Sequence, residues 1–518
     1  MRTLIRAKFV YAPGFPDADS LLIDQAEISW VGQFSAIKYL DLSFDQLIEL
    51  PDYFVTPGFV DSHVHLSATG ALDTGVDLRE TKSAKEALSI LKSFVQESSN
   101  SFILGHGWED TNWPDRQDWN LDSLEPDLVG RNVYLSRIDV HSALIKTPIA
   151  SGIVKEKQHH QVRKFVQDEL PQAQRRANIS AALAGIASKG IVSVHENGGP
   201  AVSGKSDFLD VMDIAKSIDV PEVFGYWGTT DLSEVQALNA FGAAGDLTVD
   251  GSIGSRTALL SEPYADDQGN SGVEFLSTEE ITEHLIACTN LGIQGGFHAI
   301  GDQALHSIAL ALEAAQKVCG ITQVRAARHR IEHAEMLDSR HFELFSSLGV
   351  VLSMQPVFDE LWGNQNGLYE QRLKAKRASQ MNSFASIAKA GITMAFSSDS
   401  PVTPIDPWRT IQAAISHHTT EHRISARAAF TAHTRGGWRA VKDDQSGVIE
   451  PGALAHLAIW SAPNFSVTIP ADRIRAWSTD ERSGTPPLPD LADGLPRCIA
   501  TIRSGRIIYD SENIWVND

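Results

Sequence analysis

Cysteine is scarce in this chain: Cys288, Cys319 and Cys498 are the only three in 518 residues, far apart and in no Cys-x-x-Cys spacing. That excludes a disulfide-stapled scaffold and a cysteine-ligated zinc module, and fits buried thiols in a reducing compartment. Basic residues are outnumbered, 44 Lys and Arg against 65 Asp and Glu, giving a net charge of −21. A nucleic-acid surface needs clustered positive charge, and so does adhesion to an anionic membrane, so neither partner is expected. No apolar run is long enough to span a bilayer, and Met1-Arg-Thr-Leu-Ile-Arg-Ala-Lys8 has no signal-peptide core, so the sequence reads as cytoplasmic. Internal repeats and low-complexity segments are also missing.

What remains is an ordinary globular composition, 42% hydrophobic, on a chain long enough for several domains. Residues 1–56 and 440–518 hold short strand-like runs and little helical periodicity, and are expected to fold together as one small β-sandwich from both ends. Between them, in residues 57–439, apolar strands at 59–64, 190–195, 222–227, 246–250, 294–298, 329–333, 350–354 and 393–397 alternate with helical stretches. One such helix opens on a capping box, Ser277 and Glu280. Eight βα units predict a (β/α)8 barrel, with a doubly wound sheet as the structural alternative. Residues 68–179 fit badly into the repeat and read as an insertion after the first strand, above the catalytic face.

The residue pattern at the strand ends carries the chemistry. His63 and His65 follow Thr56-Pro-Gly-Phe-Val-Asp-Ser62. Side chains two apart on a strand share a face, so both imidazoles converge about 7 Å apart at the backbone, an arrangement that suits zinc. The fifth strand ends at His298, the sixth at His333 and the eighth at Asp399. Taken singly, His298 or His333 reads as a satisfied core histidine, and Asp399 as a turn residue before Pro401. Together, at the ends where barrels place their chemistry, they read as a metal site.

At this point the chain resembles the amidohydrolase superfamily, and within it the YtcJ-like branch (amidohydrolase family 3), which includes N-substituted formamide deformylases. The resemblance rests on Pro57-Gly-Phe-Val-Asp-Ser-His-Val-His65, Asp250-Gly-Ser-Ile-Gly-Ser-Arg-Thr-Ala258 with Glu262-Pro-Tyr264, His298-Ala-Ile-Gly-Asp302, Arg330-Ile-Glu-His333 and Gly447-Val-Ile-Glu-Pro-Gly452. It implies that His63, His65, His298 and Asp399 hold a divalent metal, zinc before others, in one or two ions. Asp399 would move the proton, and His333 would bind a second metal or polarise the substrate oxygen. Many relatives place a bridging lysine where this chain has Asp246, which leaves a direct ligand, an orienter of a histidine or no metal role for that aspartate.

The expected activity is hydrolysis of a C–N bond other than a peptide bond, in an amide or formamide of a small molecule. A single-metal deaminase of the same superfamily is the alternative, and a metal-free binding protein is the alternative from another class. Candidate substrate contacts are His141, Trp108, Arg256 and His195, with structural roles open for each. The segment 358–369 is a candidate lid. Oligomeric state is not legible here.

Overall fold

The computed structural model describes residues 1–40, 42–138, 142–200, 202–466 and 486–515. These divide into two compact units, one of Met1–Val64, Ala184–Val202 and the chain from Ala215 onward, the other of His65–Leu183 and Ser203–Ile214.

The first unit contains a sheet of eight parallel strands: β1 Phe59–Val64, β2 Ile191–Gly198, β3 Glu222–Trp227, β4 Gly242–Ala243, β5 Gln294–Ala299, β6 Arg330–His333, β7 Val351–Met354 and β8 Thr393–Phe396. Each lies beside its successor in that order. Val64 bridges Ser400 in parallel, so the eighth strand returns to the first and the sheet nearly closes as a (β/α)8 barrel. β1 and β2 are buried along their whole length: apolar residues fill their first positions, and the buried polar side chains Asp61, Ser62, His63, His195, Glu196 and Asn197 gather towards their C-terminal ends. Helices between them bury one stripe each; Thr278–Leu291 carries the expected Ser277–Glu280 capping box.

One strand lies elsewhere than its sequence suggests. The run 246–250 reads as the fourth strand, yet β4 is Gly242–Ala243. Gly245 adopts φ +87°, a left-handed turn that ends the strand. Beyond it, the His298 N–H donates to the Leu247 carbonyl and the Val249 N–H to the His298 carbonyl, both at 3.0 Å. The apolar run therefore follows β5 through a single bridge instead of building its own strand.

The same unit holds a seven-stranded sheet drawn from both ends of the sequence. Its order is Arg506–Asp510, Arg497–Arg503, Leu457–Ser461, Gln46–Pro57, Arg2–Val10, Ser20–Asp24 and Glu27–Gly32. Ile5, Leu21, Ile28, Ile48, Ile459 and Ile499 belong to its core. The strand Gln46–Pro57 is hard to see in the sequence because Pro51 and Asp52 resemble a turn. They occupy a bulge: Ala7 pairs with Leu50 and Phe9 with Phe54, so the proline sits where the ladder is interrupted and its missing N–H is not needed. At its end, the Trp460 indole donates to Thr56 Oγ1 at 2.9 Å and its ring meets Phe59 edge-on. This packing fixes the direction in which the chain enters β1.

The second unit has a five-stranded sheet, ordered Ala150–Lys155, Ser142–Thr147, Asn132–Arg137, Phe102–Trp108 and Val76–Asp77. Its core gathers Trp108, Trp113, Trp119, Leu91 and Leu135. Among the described residues no helix is long and apolar enough to cross a membrane.

Candidate metal centre

The C-terminal ends of the first unit's barrel strands bring five of the expected residues together. Donor atoms of His63, His333 and Asp399 lie within 4.8 Å of one another. His63 Nε2 is 3.3 Å from Asp399 Oδ1 and 3.5 Å from Asp246 Oδ1. The His333 ring centroid lies 4.5 Å from that of His298 and 5.2 Å from that of His63. His333 and Asp399 adopt φ +71° and +54°, and Ala334 +51°. Such non-glycine conformations cost on the order of 1–3 kcal/mol each and gather at functional sites.

His63 and His333 each have their own outer partner. His63 Nδ1 is 2.9 Å from Glu332 Oε2. Arg330, wholly buried on the same strand, donates to Glu332 from Nε at 2.5 Å and from Nη2 at 3.0 Å. Burial alone would raise the Glu332 carboxyl; Arg330 and the His63 hydrogen bond hold it well below the usual carboxylate range. His333 Nδ1 lies 2.9 Å from Gln355 Oε1, just past β7. Burial lowers His333 to about 4, so its ring is neutral at pH 7. His298 Nδ1 is 3.8 Å from Asp250 Oδ1 and, among the described residues, has no hydrogen-bond partner. Asp250 itself accepts the backbone N–H groups of Leu259, Ile300 and Gly301 at 2.8–2.9 Å, and burial lifts it to about 6.

These donors suit a cation. With the Nδ1 proton of His63 directed at Glu332, Nε2 presents its lone pair to two carboxylate oxygens. Three electron-rich atoms that close repel unless a positive charge sits among them. The proton affinity of His63 follows: burial lowers it, but Asp399, Asp246 and Glu332 raise it well above the ordinary histidine value. Neutral imidazoles and carboxylates are also the donor set that a divalent metal such as zinc takes.

The other expected residues are placed as follows. His65 comes directly after β1, half-buried, at the N-cap of the helix Leu66–Asp73, and is the first residue of the second unit. Trp108 is 1% exposed in the core of the second unit, its indole donating to the Leu135 carbonyl at 2.7 Å. His195 is wholly buried on β2, with Nδ1 3.1 Å from Arg330 Nη1. Arg256 adopts φ +58° and pairs with Asp266 through Nε and Nη2 at 3.1 and 2.8 Å. His141 lies outside the described residues. In the segment 358–369, Phe358 stacks on His333 with centroids 6.0 Å apart, and Trp362 packs on Phe358.

Sequence reading missed Glu332, Gln355, Asp250, Asp61 and Glu335. Glu332 carried a signal, since Arg330 and Glu332 are two apart on a strand and share a face. Asp61 is two before His63 and accepts N–H groups from Ser398 at 3.0 Å and His63 at 3.3 Å; burial raises it to about 6. Glu335 accepts the Tyr369 hydroxyl at 2.5 Å, and burial pushes it up to about 7. Gln355 follows β7 in no recognisable motif.

The chain is similar to several known proteins. Over 513 residues the chain is 28% identical to Protein LONG AFTER FAR-RED 3 of Arabidopsis thaliana, covering 88% of this chain and 86% of that protein. It is 24% identical over 508 residues to the Putative amidohydrolase YtcJ of Bacillus subtilis, covering 87% and 92%. A shorter match, 22% over 196 residues and 36% of this chain and 35% of the other, is to the N-substituted formamide deformylase of Arthrobacter pascens. Among solved structures, an uncharacterized metal-dependent hydrolase from Pyrococcus furiosus superposes with a TM-score of 0.74 at 26% identity, covering 89% of this chain and 99% of that one. A family model described as Amidohydrolase family matches residues 46–509, and the chain therefore belongs to the amidohydrolase family, in the YtcJ-like branch.

Proposed function

We propose that this hydrolase cleaves a C–N bond of amide or formamide type in a small molecule, with His63, His65, His298 and Asp399 as ligands of a divalent metal and with Asp246 and His333 beside them. The observation that carries the reading is the convergence of His63, His333 and Asp399 at the ends of β1, β6 and β8. The match to an N-substituted formamide deformylase, though it spans 36% of this chain, supports the formamide class.

A bound divalent ion, zinc in this reading, would supply a water activated near neutral pH. The protein's own residues do the rest. Asp399 accepts the proton of the attacking water on its carboxylate and returns it to the departing nitrogen. His333 is neutral and offers Nε2 as a lone pair, because its Nδ1 faces the Gln355 oxygen. Glu332, kept ionised by Arg330, holds the His63 ring in one orientation. Phe358 and Trp362 form an apolar wall next to His333 that favours a substrate with an uncharged substituent.

A panel of N-formyl, N-acyl and aminated heterocyclic compounds tests the proposal. Release of a free amine with formate or another carboxylate is the expected result. Ammonia released from aminated rings instead would make the enzyme a deaminase, and no turnover by zinc-loaded protein across the panel would count against both.

A further inference from the structure

The imidazoles of this centre are backed by groups of different charge. Behind His63 stands the carboxylate of Glu332, 2.9 Å from Nδ1 and itself clamped by Arg330. Behind His333 stands the side-chain amide of Gln355, also 2.9 Å from Nδ1. Ser353 settles which way that amide points. Gln355 Nε2 donates to the Ser353 carbonyl at 3.3 Å and to Ser397 Oγ at 2.9 Å. A carbonyl oxygen only accepts, so the amide nitrogen faces it and Oε1 faces the histidine. Nδ1 of His333 therefore carries the proton, and Nε2 carries the lone pair.

Both rings turn Nδ1 to an outer partner and Nε2 away from it, but they do not have the same donor strength. A carboxylate draws on the N–H of an imidazole and loads negative charge onto the far nitrogen; a neutral amide does so much less. Arg330 adds a constraint. Its Nη2 donates to the Ser62 carbonyl at 2.7 Å and its guanidinium lies 4.3 Å above the Tyr226 ring, so Glu332 is held against β1 with little freedom to turn away.

We propose that Glu332 and Gln355 are positioning residues that grade the metal affinity of this centre: Glu332 makes His63 its strong imidazole ligand, and Gln355 leaves His333 a weak one. The inference rests on the metal reading above and adds an order of binding to it. The ion engaging His63 is taken first, and whatever His333 engages is held more loosely.

The experiment titrates metal-free full-length protein with zinc against a chromophoric chelator, for wild type, Glu332→Gln and Gln355→Met. Histidine-selective 15N spectra of the same metal-free samples report the tautomers. The expected loss of affinity is roughly 10- to 100-fold for Glu332→Gln and less than about tenfold for Gln355→Met. Gln355→Met also moves His333 from a single tautomer to a mixture, which a merely structural role would not do. Should Glu332→Gln fail to fold because Arg330 loses its counter-charge, the double variant Arg330→Met with Glu332→Gln removes both charges and reads the same loss. Equal losses, a larger loss for Gln355→Met, or unchanged 15N signals overturn the grading while leaving the metal reading standing. Wild-type protein that takes up no zinc overturns the metal reading and the grading with it.

Discussion

The backbone N–H of Asp399 donates to the carbonyl of His63 at 2.9 Å, so the last and first barrel strands are joined at two of the proposed metal ligands. Asp61 reinforces the seam by accepting backbone N–H groups from both Ser398 and His63. Replacing Asp61 by Ala leaves those donors buried without their acceptor, each worth about 1–3 kcal/mol. Urea denaturation of Asp61→Ala is expected to show that loss of stability together with weaker zinc binding; unchanged stability would mean that the seam holds without it.

Asp399→Asn keeps the shape of the side chain and removes its capacity to take a proton. Turnover of the best panel substrate should fall by roughly a thousand-fold or more, with far-UV circular dichroism unchanged. Residual activity within tenfold of wild type would assign the proton transfer to another group.

Purified protein should contain about one or two equivalents of divalent metal. Dialysis against a chelator should abolish activity, and zinc should restore it. Asp246→Asn, measured in the same way, tells whether that carboxylate contributes: reduced affinity makes it a ligand or an orienter, and unchanged affinity removes it from the site.

Three buried histidines weaken the fold in mild acid. Burial lowers His329 to about 3, and His433 and His456 to about 4. The unfolded chain takes up protons near pH 6.5 that these folded residues refuse, so their contribution to stability falls with pH from about 6.5 down to about 4. Asp61, Asp250 and Glu335, which burial lifts to about 6, 6 and 7, act in the opposite sense. Each histidine contributes about 1.4 kcal/mol per pH unit in that window. Denaturation curves of wild type and His456→Asn at pH 7.5, 6 and 5 should show the variant gaining on the wild type as pH falls; a difference that stays constant with pH would remove His456 from the acid response.

Ser277→Ala removes one half of a capping box remote from the strand ends. The expected cost is about 1 kcal/mol in stability with zinc affinity as in wild type, which makes it a control for the variants above.

The barrel was legible because apolar runs of strand length alternate with helical periodicity, and the candidate site because histidines and an aspartate fall where those runs end. Asp246 shows the limit of that reading. The residues 246–250 are apolar enough for a strand, but the turn at Gly245 depends on a backbone conformation that composition does not reveal. Gln355 was invisible for another reason: its partners His333 and Ser397 reach it only through the fold, from the ends of the two neighbouring strands. Glu332 stood in plain view beside His333, yet its partner proved to be His63 across the barrel.

The sheet built from both ends of the sequence governs when the site can come into being. Gln46–Pro57, which runs straight into β1, is flanked by Arg2–Val10 on one side and by Leu457–Ser461 on the other. During synthesis the strand that aims His63 waits, with one edge bare, until more than four hundred further residues have been added. Assembly of the proposed metal site is thereby tied to synthesis past Leu457, and a chain cut short before it would carry most of the candidate ligands without the frame that aligns them.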